Sequence, residues 1–257
     1  MSLKIIRSPE ELKTTLRQLK RLSPEKTIGF VPTMGALHEG HKTLLESARA
    51  ENDICILSIF VNPTQFNDKE DLKKYPKTWD ADLALADHVG VDIAFAPEYS
   101  EMYPDNYRYQ LNEKEFSQQL CGKDRPGHFD GVLSVVMKLF NLIQPTKAYF
   151  GEKDFQQLCL IEGMIQAFFM DVQIVRVPTL RESSGLAMSS RNVRLTPEEK
   201  TLAPQLHKSM LLAKSSEEAQ KQLQQLGFHV DYVVDIEGRR YAAAKLGNVR
   251  LIDNVKI

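Results

Sequence analysis

Apolar runs alternate with amphipathic segments over the first two-thirds of the chain. Residues 27–31, 53–61, 92–96, 147–150 and 172–177 read as buried strands. Between them, residues 78–88 start at Thr78, carry Asp82 in the first turn and stop before Gly90. Residues 131–143 place Val132, Val135, Val136, Leu139, Phe140 and Ile143 at helical spacing. Residues 155–169 do the same with Leu158, Ile161, Ile165 and Phe168. Strand–helix alternation predicts the α/β class, here a Rossmann-like, doubly wound parallel sheet with helices on both faces. Ligands of such sheets bind at the carboxyl ends of the strands.

The pattern changes after residue 180. Residues 181–194 are polar, with Ser183, Ser184 and Gly185 as breakers. Thr196-Pro197-Glu198-Glu199 is a helix start, with Thr as cap, Pro in the first turn and Glu three residues on. Ser215-Ser216-Glu217-Glu218 repeats that signal, and Gly227 ends the second helix. Phe228, Val230, Tyr232, Val234 and Ile236 alternate as in a half-buried strand, and Val249, Leu251 and Val255 predict another. The expected organisation is a Rossmann-like domain at 1–180 and a smaller C-terminal α+β domain at 181–257.

Composition narrows the function. A net charge of −1 over 257 residues supplies no bulk field for nucleic acid or an anionic membrane, so neither is expected as a partner. Any anionic substrate must be caught by local groups. Cys55, Cys121 and Cys159 are far apart and form no C-x-x-C pair, which argues for a reducing compartment. The first residues lack the apolar core of a signal peptide, and no apolar run is long enough to span a bilayer. A cytoplasmic protein is expected.

The strongest chemical signal is Phe-Val-Pro-Thr-Met-Gly-Ala-Leu-His-Glu-Gly-His at residues 30–41. It begins in a strand and ends at a helix that carries Leu44, Leu45 and Ala48 on one face. A helix N-terminus offers unpaired N–H groups and the positive end of a dipole. Gly35 and Gly40 are read as letting the backbone approach a bulky anion, with His38 and His41 as added donors. This chemistry suits nucleotide phosphates. The histidines are spaced like metal ligands, but no cysteine or carboxylate joins them in a ligand pattern.

Four other segments carry candidate groups. Asn62 and Gln65 run off the end of the second strand, where amides suit a hydroxy acid and a capped turn is the structural alternative. Gly151-Glu152-Lys153-Asp154 repeats the order strand, glycine, helix start; Gln157 lies one turn after Lys153 on the same side. Met188-Ser189-Ser190-Arg191-Asn192 offers hydroxyls and a guanidinium; taken alone it reads as a linker, and as a phosphate grip it would be mobile without nucleotide. Arg125-Pro126-Gly127-His128-Phe129-Asp130-Gly131 precedes an apolar helix and reads equally as a gate or a structural turn.

Together these segments resemble the pantothenate synthetase (pantoate–β-alanine ligase) family. The matching text is PTMGALHEGH, SIFVNPTQF, RPGHFDGV, YFGEKDFQQL and GLAMSSRN, in the family's order and covering nearly all of residues 1–195. The H-x-G-H and M-S-S-R elements are also similar to the two signatures of the class I nucleotidyltransferase superfamily. The resemblance implies that ATP and pantoate give pantoyl adenylate and pyrophosphate, after which β-alanine attacks to give pantothenate and AMP. It implies that domain 1–180 binds nucleotide and pantoate, and that domain 181–257, short for the family, is a lid.

Carried over by motif position, the ATP site comprises Pro32, Thr33, Met34, Gly35, Ala36, Leu37, His38, Glu39, Gly40 and His41. It also takes in Gly151, Glu152, Lys153, Asp154, Leu180 (through its backbone), Met188, Ser189, Ser190 and Arg191. His38, His41, Lys153 and Arg191 would be catalytic, with His41 the proton donor. Gln65 and Gln157, with Asn62 beside them, would hold pantoate, and Gln65 would also lie close to β-alanine. Mg²⁺ would arrive through the ATP phosphates, with Asp82 the carboxylate weighed as a ligand; Ala81 stands where some relatives carry another acid. The implied assembly is a cytosolic homodimer.

Two other functions fit parts of the pattern. One is a cytidylyltransferase- or adenylyltransferase-type enzyme that stops at a nucleotide-linked product; Asn62, Gln65 and Gln157 at one pocket argue against it. The other is a nucleotide sensor without chemistry, against which His38, His41 and Lys153 argue.

Overall fold

The computed structural model describes residues 3–257. The strands β1 (Lys4–Ile6), β2 (Ile28–Thr33), β3 (Ile54–Ile59), β4 (Ile93–Phe95), β5 (Lys147–Gly151) and β6 (Gln173–Val177) form one sheet. Every pairing in it is parallel, in the order β1-β4-β3-β2-β5-β6. Period-two alternation splits the apolar side chains between two faces. Ile28, Phe30, Ile54 and Ile56 pack with Val132, Val136 and Phe140 of the helix His128–Ile143. Val31, Cys55 and Leu57 pack on the other face with Leu44, Leu45 and Ala48 of the helix Glu39–Glu51 and Ala86 of the helix Trp79–Val89. Phe30, Leu45 and Leu57 are fully buried, and each contributes about 1.5–3 kcal/mol through that burial.

The order of strands decides where a ligand can sit. From β2 the chain builds outward through β3 to β4, then returns to place β5 against the other side of β2. Strand order reverses between β2 and β5, so a crevice opens at their carboxyl ends. The turn after β2 holds the H-x-G-H run, and the turn after β5 holds Gly151 to Asp154.

A separate core, from Leu186 to Val255, belongs to the C-terminal helices and a second, antiparallel sheet. That sheet has three strands, β7 (His229–Ile236), β8 (Arg239–Leu246) and β9 (Val249–Lys256), in sequential order.

The five strands expected in the large sheet form within two residues of their expected limits. The helix expected at 131–143 starts three residues earlier, at His128, and the one expected at 155–169 ends at Ala167. Besides several helices of four or five residues, three elements have no counterpart among the expected ones. The strand β1 is three residues long and too short for a periodic signal. The helix Pro9–Leu22 buries only Leu12 and Leu16, although Ser8 caps it by accepting the Glu10 N–H. The strand β8 has an Ala242-Ala243-Ala244 centre with little strand propensity, yet those residues are buried, and the small side chains of Ala242 and Ala244 pack with Leu206 and Met210.

Candidate active site

The turn after β2 is held from below by a buried carboxylate. Asp82 is 2% exposed. Its Oδ2 accepts the Ala36 N–H at 2.9 Å and its Oδ1 the Leu37 N–H at 2.8 Å; Thr78 Oγ1 donates to Oδ1 at 2.9 Å. The Gly35 N–H goes to Thr33 Oγ1. Gly35 and Ala36 both have positive φ, +80° and +51°, a conformation that costs a non-glycine residue energy and persists where surroundings enforce it. Asp82 supplies that enforcement. Asp82, the carboxylate weighed as a Mg²⁺ ligand, thus has both its oxygens engaged, by the turn and by Thr78. The amides at 35–37 likewise face the protein and not a phosphate.

His38 and His41 form a reciprocal cap at the start of the helix Glu39–Glu51. Nδ1 of His38 accepts the Gly40 N–H at 3.1 Å, and Nδ1 of His41 accepts the His38 N–H at 3.3 Å. The rings lie 4.1 Å apart, tilted by 32°. A side chain at position 40 would meet the His38 ring at 3.0 Å, so Gly40 makes room for the histidine. Burial, then Lys153, lowers the His38 pKa to about 4; burial, then His38 and Lys153, lowers that of His41 to about 3. Both rings are neutral at pH 7. Because Nδ1 of each accepts a backbone N–H, the ring proton resides on Nε2. Each histidine thus offers one fixed N–H donor.

The amides after β3 divide into one structural group and two binding groups. Asn62 is 1% exposed and saturated. Its Nδ2 donates to the Gly131 carbonyl and to Gln65 Oε1; its Oδ1 accepts from the Thr64 N–H and hydroxyl and from Tyr103. Asn62, expected beside the substrate, does line the cleft, but its side chain is committed to the protein and steadies Gln65. The helix His128–Ile143 presses so closely there that a Cβ at Gly131 would lie 2.6 Å from Thr64 backbone atoms. Gln65 keeps its Nε2 at the cleft, 3.1 Å from the Met34 sulfur. Gln157 is half-buried, and no hydrogen bond occupies its side chain among the described residues.

Arg125 and His128 were not singled out as binding groups by the sequence, and both line the cleft. The Gln65 carbonyl accepts from His128 Nδ1 at 2.8 Å and from Arg125 Nη2 at 3.0 Å; Arg125 Nη1 donates to His128 Nε2 at 3.1 Å. Burial, then the Arg125 charge, lowers His128 to about 3, and burial lowers Arg125 to about 10. Arg125 remains a cation at pH 7 with no carboxylate partner among the described residues. Its only signal in the sequence was a charged residue ahead of a Pro-Gly turn.

Lys153 enters from the turn after β5, with Nζ 3.6 Å from Asp154 Oδ2. That turn is fixed from the C-terminal sheet: Asn254 Nδ2 donates to the carbonyls of Glu152 and Lys153 at 2.8 and 3.0 Å. The 188–192 segment is pinned at both ends. Arg181 forms a two-pronged ion pair with Asp253, and Asn192 donates to Glu182 and to the Ala187 carbonyl. The Leu180 carbonyl accepts the Met188 N–H at 3.0 Å.

One cleft of about 260 Å³ gathers most of these groups. Pro32, Thr33, Met34, His38, Gly40, His41, Asn62, Gln65, Gly151, Lys153, Asp154, Gln157, Leu180, Met188, Ser189, Ser190 and Arg191 all line it. Gly35, Ala36, Leu37, Glu39 and Glu152 do not. A wall of Val132, Val135, Val136 and Leu139 limits water on one side.

The family model for pantoate-beta-alanine ligase matches residues 4–256. The chain belongs to the pantoate–β-alanine ligase family. It is 61% identical to the pantothenate synthetase of Bdellovibrio bacteriovorus, covering 98% of this chain and 99% of that one. It is 53% identical to the Legionella pneumophila (strain Lens) enzyme of the same name, over 93% and 95% of the two chains. Among solved structures, the Francisella tularensis ligase complexed with "Beta-gamma ATP" and β-alanine matches with a TM-score of 0.94 at 38% identity, over 99% of this chain and 98% of that one. The Thermus thermophilus pantothenate synthetase matches with a TM-score of 0.90 at 38% identity, over 98% and 99%. Ligases of this family thus share both the parallel sheet and the small antiparallel one. No helix among the described residues is long and apolar enough to cross a membrane.

Proposed function

We propose that this chain joins pantoate to β-alanine at the expense of ATP, through a pantoyl-adenylate intermediate held in the cleft between β2 and β5. The observation that carries the reading is the convergence of His38, His41 and Lys153 from two strand ends with the amides of Gln65 and Gln157. The pantoate carboxylate attacks the α-phosphorus, and pyrophosphate departs. No nucleophilic side chain is required. Negative charge grows on the phosphate oxygens, and fixed donors aimed at it lower the barrier. The Nε2–H groups of His38 and His41 do this as hydrogen-bond donors: with both rings neutral, His41 need not give up a proton. Lys153 and Arg191 add charge, and Mg²⁺ enters with ATP as part of the substrate. Among the described residues no three His, Cys, Asp or Glu side chains cluster to hold a metal.

In the second step the β-alanine amine attacks the acyl carbon, the acyl–phosphate bond breaks and AMP leaves. Arg125 is the cation without a carboxylate partner nearest Gln65, and we assign it the β-alanine carboxylate. Domain 1–180 carries nucleotide and pantoate, domain 181–257 covers them, and the working unit is a cytoplasmic homodimer. Mass spectrometry of products from ATP, pantoate and β-alanine tests the reading. AMP and pantothenate should appear only when all three are present. Nucleotide release that ignores the amine would favour the cytidylyltransferase-type reaction.

A further inference from the structure

Asp71 holds two guanidinium groups at once. Arg191 Nη2 lies 2.8 Å from its Oδ2, and Arg194 Nη1 lies 2.9 Å from its Oδ1. Asp71 belongs to the short helix Lys69–Lys73, and the arginines to the segment after β6. Each of the three side chains is about a quarter exposed, at 24–26%. Tyr75 reinforces the link: its ring centre lies 5.6 Å from the Arg191 guanidinium, and its hydroxyl 3.4 Å from Ser190 Oγ. Burial opposes ionisation of Asp71, but the two guanidinium groups outweigh it and hold the carboxyl below its usual range.

The two arginines differ in reach. Arg191 lines both the nucleotide cleft and an adjoining polar cleft of about 730 Å³; Asp71 and Arg194 line only the second. A partly buried carboxylate left without a partner is costly, the more so beside an incoming anion. With Arg194 in place, Arg191 can leave Asp71 without creating that cost.

We propose that Asp71 and Arg194 are positioning residues for Arg191. Asp71 holds the Arg191 guanidinium at the rim of the cleft, in competition with the triphosphate, until nucleotide binds. Arg194 retains the carboxylate when the triphosphate claims Arg191. The inference rests on the reading that Arg191 contacts the triphosphate.

Titration calorimetry of the full chain with magnesium and β,γ-methylene-ATP tests it. Asp71→Asn should tighten binding about fivefold and Arg194→Ala should weaken it about fivefold, the upper range for a partly exposed ion pair. In the Asp71→Asn background, Arg194→Ala should change affinity less than twofold, since no carboxylate is left to satisfy. A general field effect would cost the same in both backgrounds. A merely structural bridge would weaken binding in both single variants. Either result overturns the proposal. Asp71→Ser and Arg194→Gln, expected to give the same signs, replace any variant that fails to fold. Arg191→Ala separates the two levels. Unchanged affinity in it removes the phosphate contact and the relay together. Weakened affinity in it, with same-sign effects at 71 and 194, leaves the contact standing and removes only the relay.

Discussion

Lowering the pH from 7 to 5 should destabilise the ligand-free protein through three cleft histidines, with a contribution of the same sign from His207, which burial and then Arg181 hold below its usual range. Burial and neighbouring cations lower His38 to about 4, and His41 and His128 to about 3. An unfolded histidine titrates near 6.5. Between that value and the folded ones, the unfolded chain binds more protons than the folded chain. Stability is therefore complete above pH ~6.5 and falls as pH drops towards the folded values. Each histidine costs about 1.4 kcal/mol per pH unit in that window, hence about 2 kcal/mol at pH 5 and about 6 kcal/mol for the three. That is a large part of a typical folding free energy of roughly 5–15 kcal/mol. The carboxyl of Asp71 is held below its usual range and titrates later, so the window from 6.5 to 5 isolates the histidines. Urea unfolding at pH 7, 6 and 5 measures the slope in the native chain and in His41→Gln and His128→Gln. Each variant should lose about 2 kcal/mol less over the interval, as expected for one histidine fewer. Equal slopes in all three proteins, or a flat profile in the native chain, would show that these rings are not held neutral by the fold.

Three further outcomes follow from the site and a fourth from the family resemblance. Asp82→Asn sets an amide N–H against a backbone N–H of the 36–37 turn; it should cost about 1–3 kcal/mol in thermal or urea unfolding and raise the KM for ATP, and unchanged values would mean that Asp82 does not hold the turn. His41→Ala and Lys153→Ala should each cut pantoate-dependent pyrophosphate release about 10²-fold or more, and near-normal release in either would sink its catalytic role. Arg125→Ala should raise the KM for β-alanine at least about tenfold, as loss of a charged hydrogen bond does, while ATP–pyrophosphate exchange stays within about threefold; loss of exchange would move Arg125 to the first half-reaction. Light scattering at micromolar concentration should give twice the chain mass, and a monomer would refute the dimer.

Signals that act over a few residues were legible in the sequence. Short apolar runs and helical spacings located five strands and the main helices, because burial is a local constraint on residue order. The Thr196 capping box forms as expected, with Thr196 and Glu199 bonding each other's backbone. The positions of His38, His41, Lys153, Gln65 and Gln157 were legible for the same reason: each sits at or just after a recognisable strand end.

What each polar group does there was decided by tertiary structure. Strand order is a non-local choice, and only the return of the chain to β5 brings Lys153 opposite the histidines. Asp82 and Asn62 have the right chemistry to bind a metal or a hydroxy acid. Long-range contacts fill their hydrogen-bonding capacity, with the 36–37 amides for one and with Gly131 and Tyr103 for the other. Arg125 and Asn254 show the reverse. Neither carries a local signal for its role, yet one is left as a half-buried cation at the cleft and the other fixes the Lys153 turn from a strand about a hundred residues away. The sequence by itself determines which groups are offered. Burial and pairing across the fold determine which remain free to act, because a polar group satisfied inside the protein has little left for a ligand.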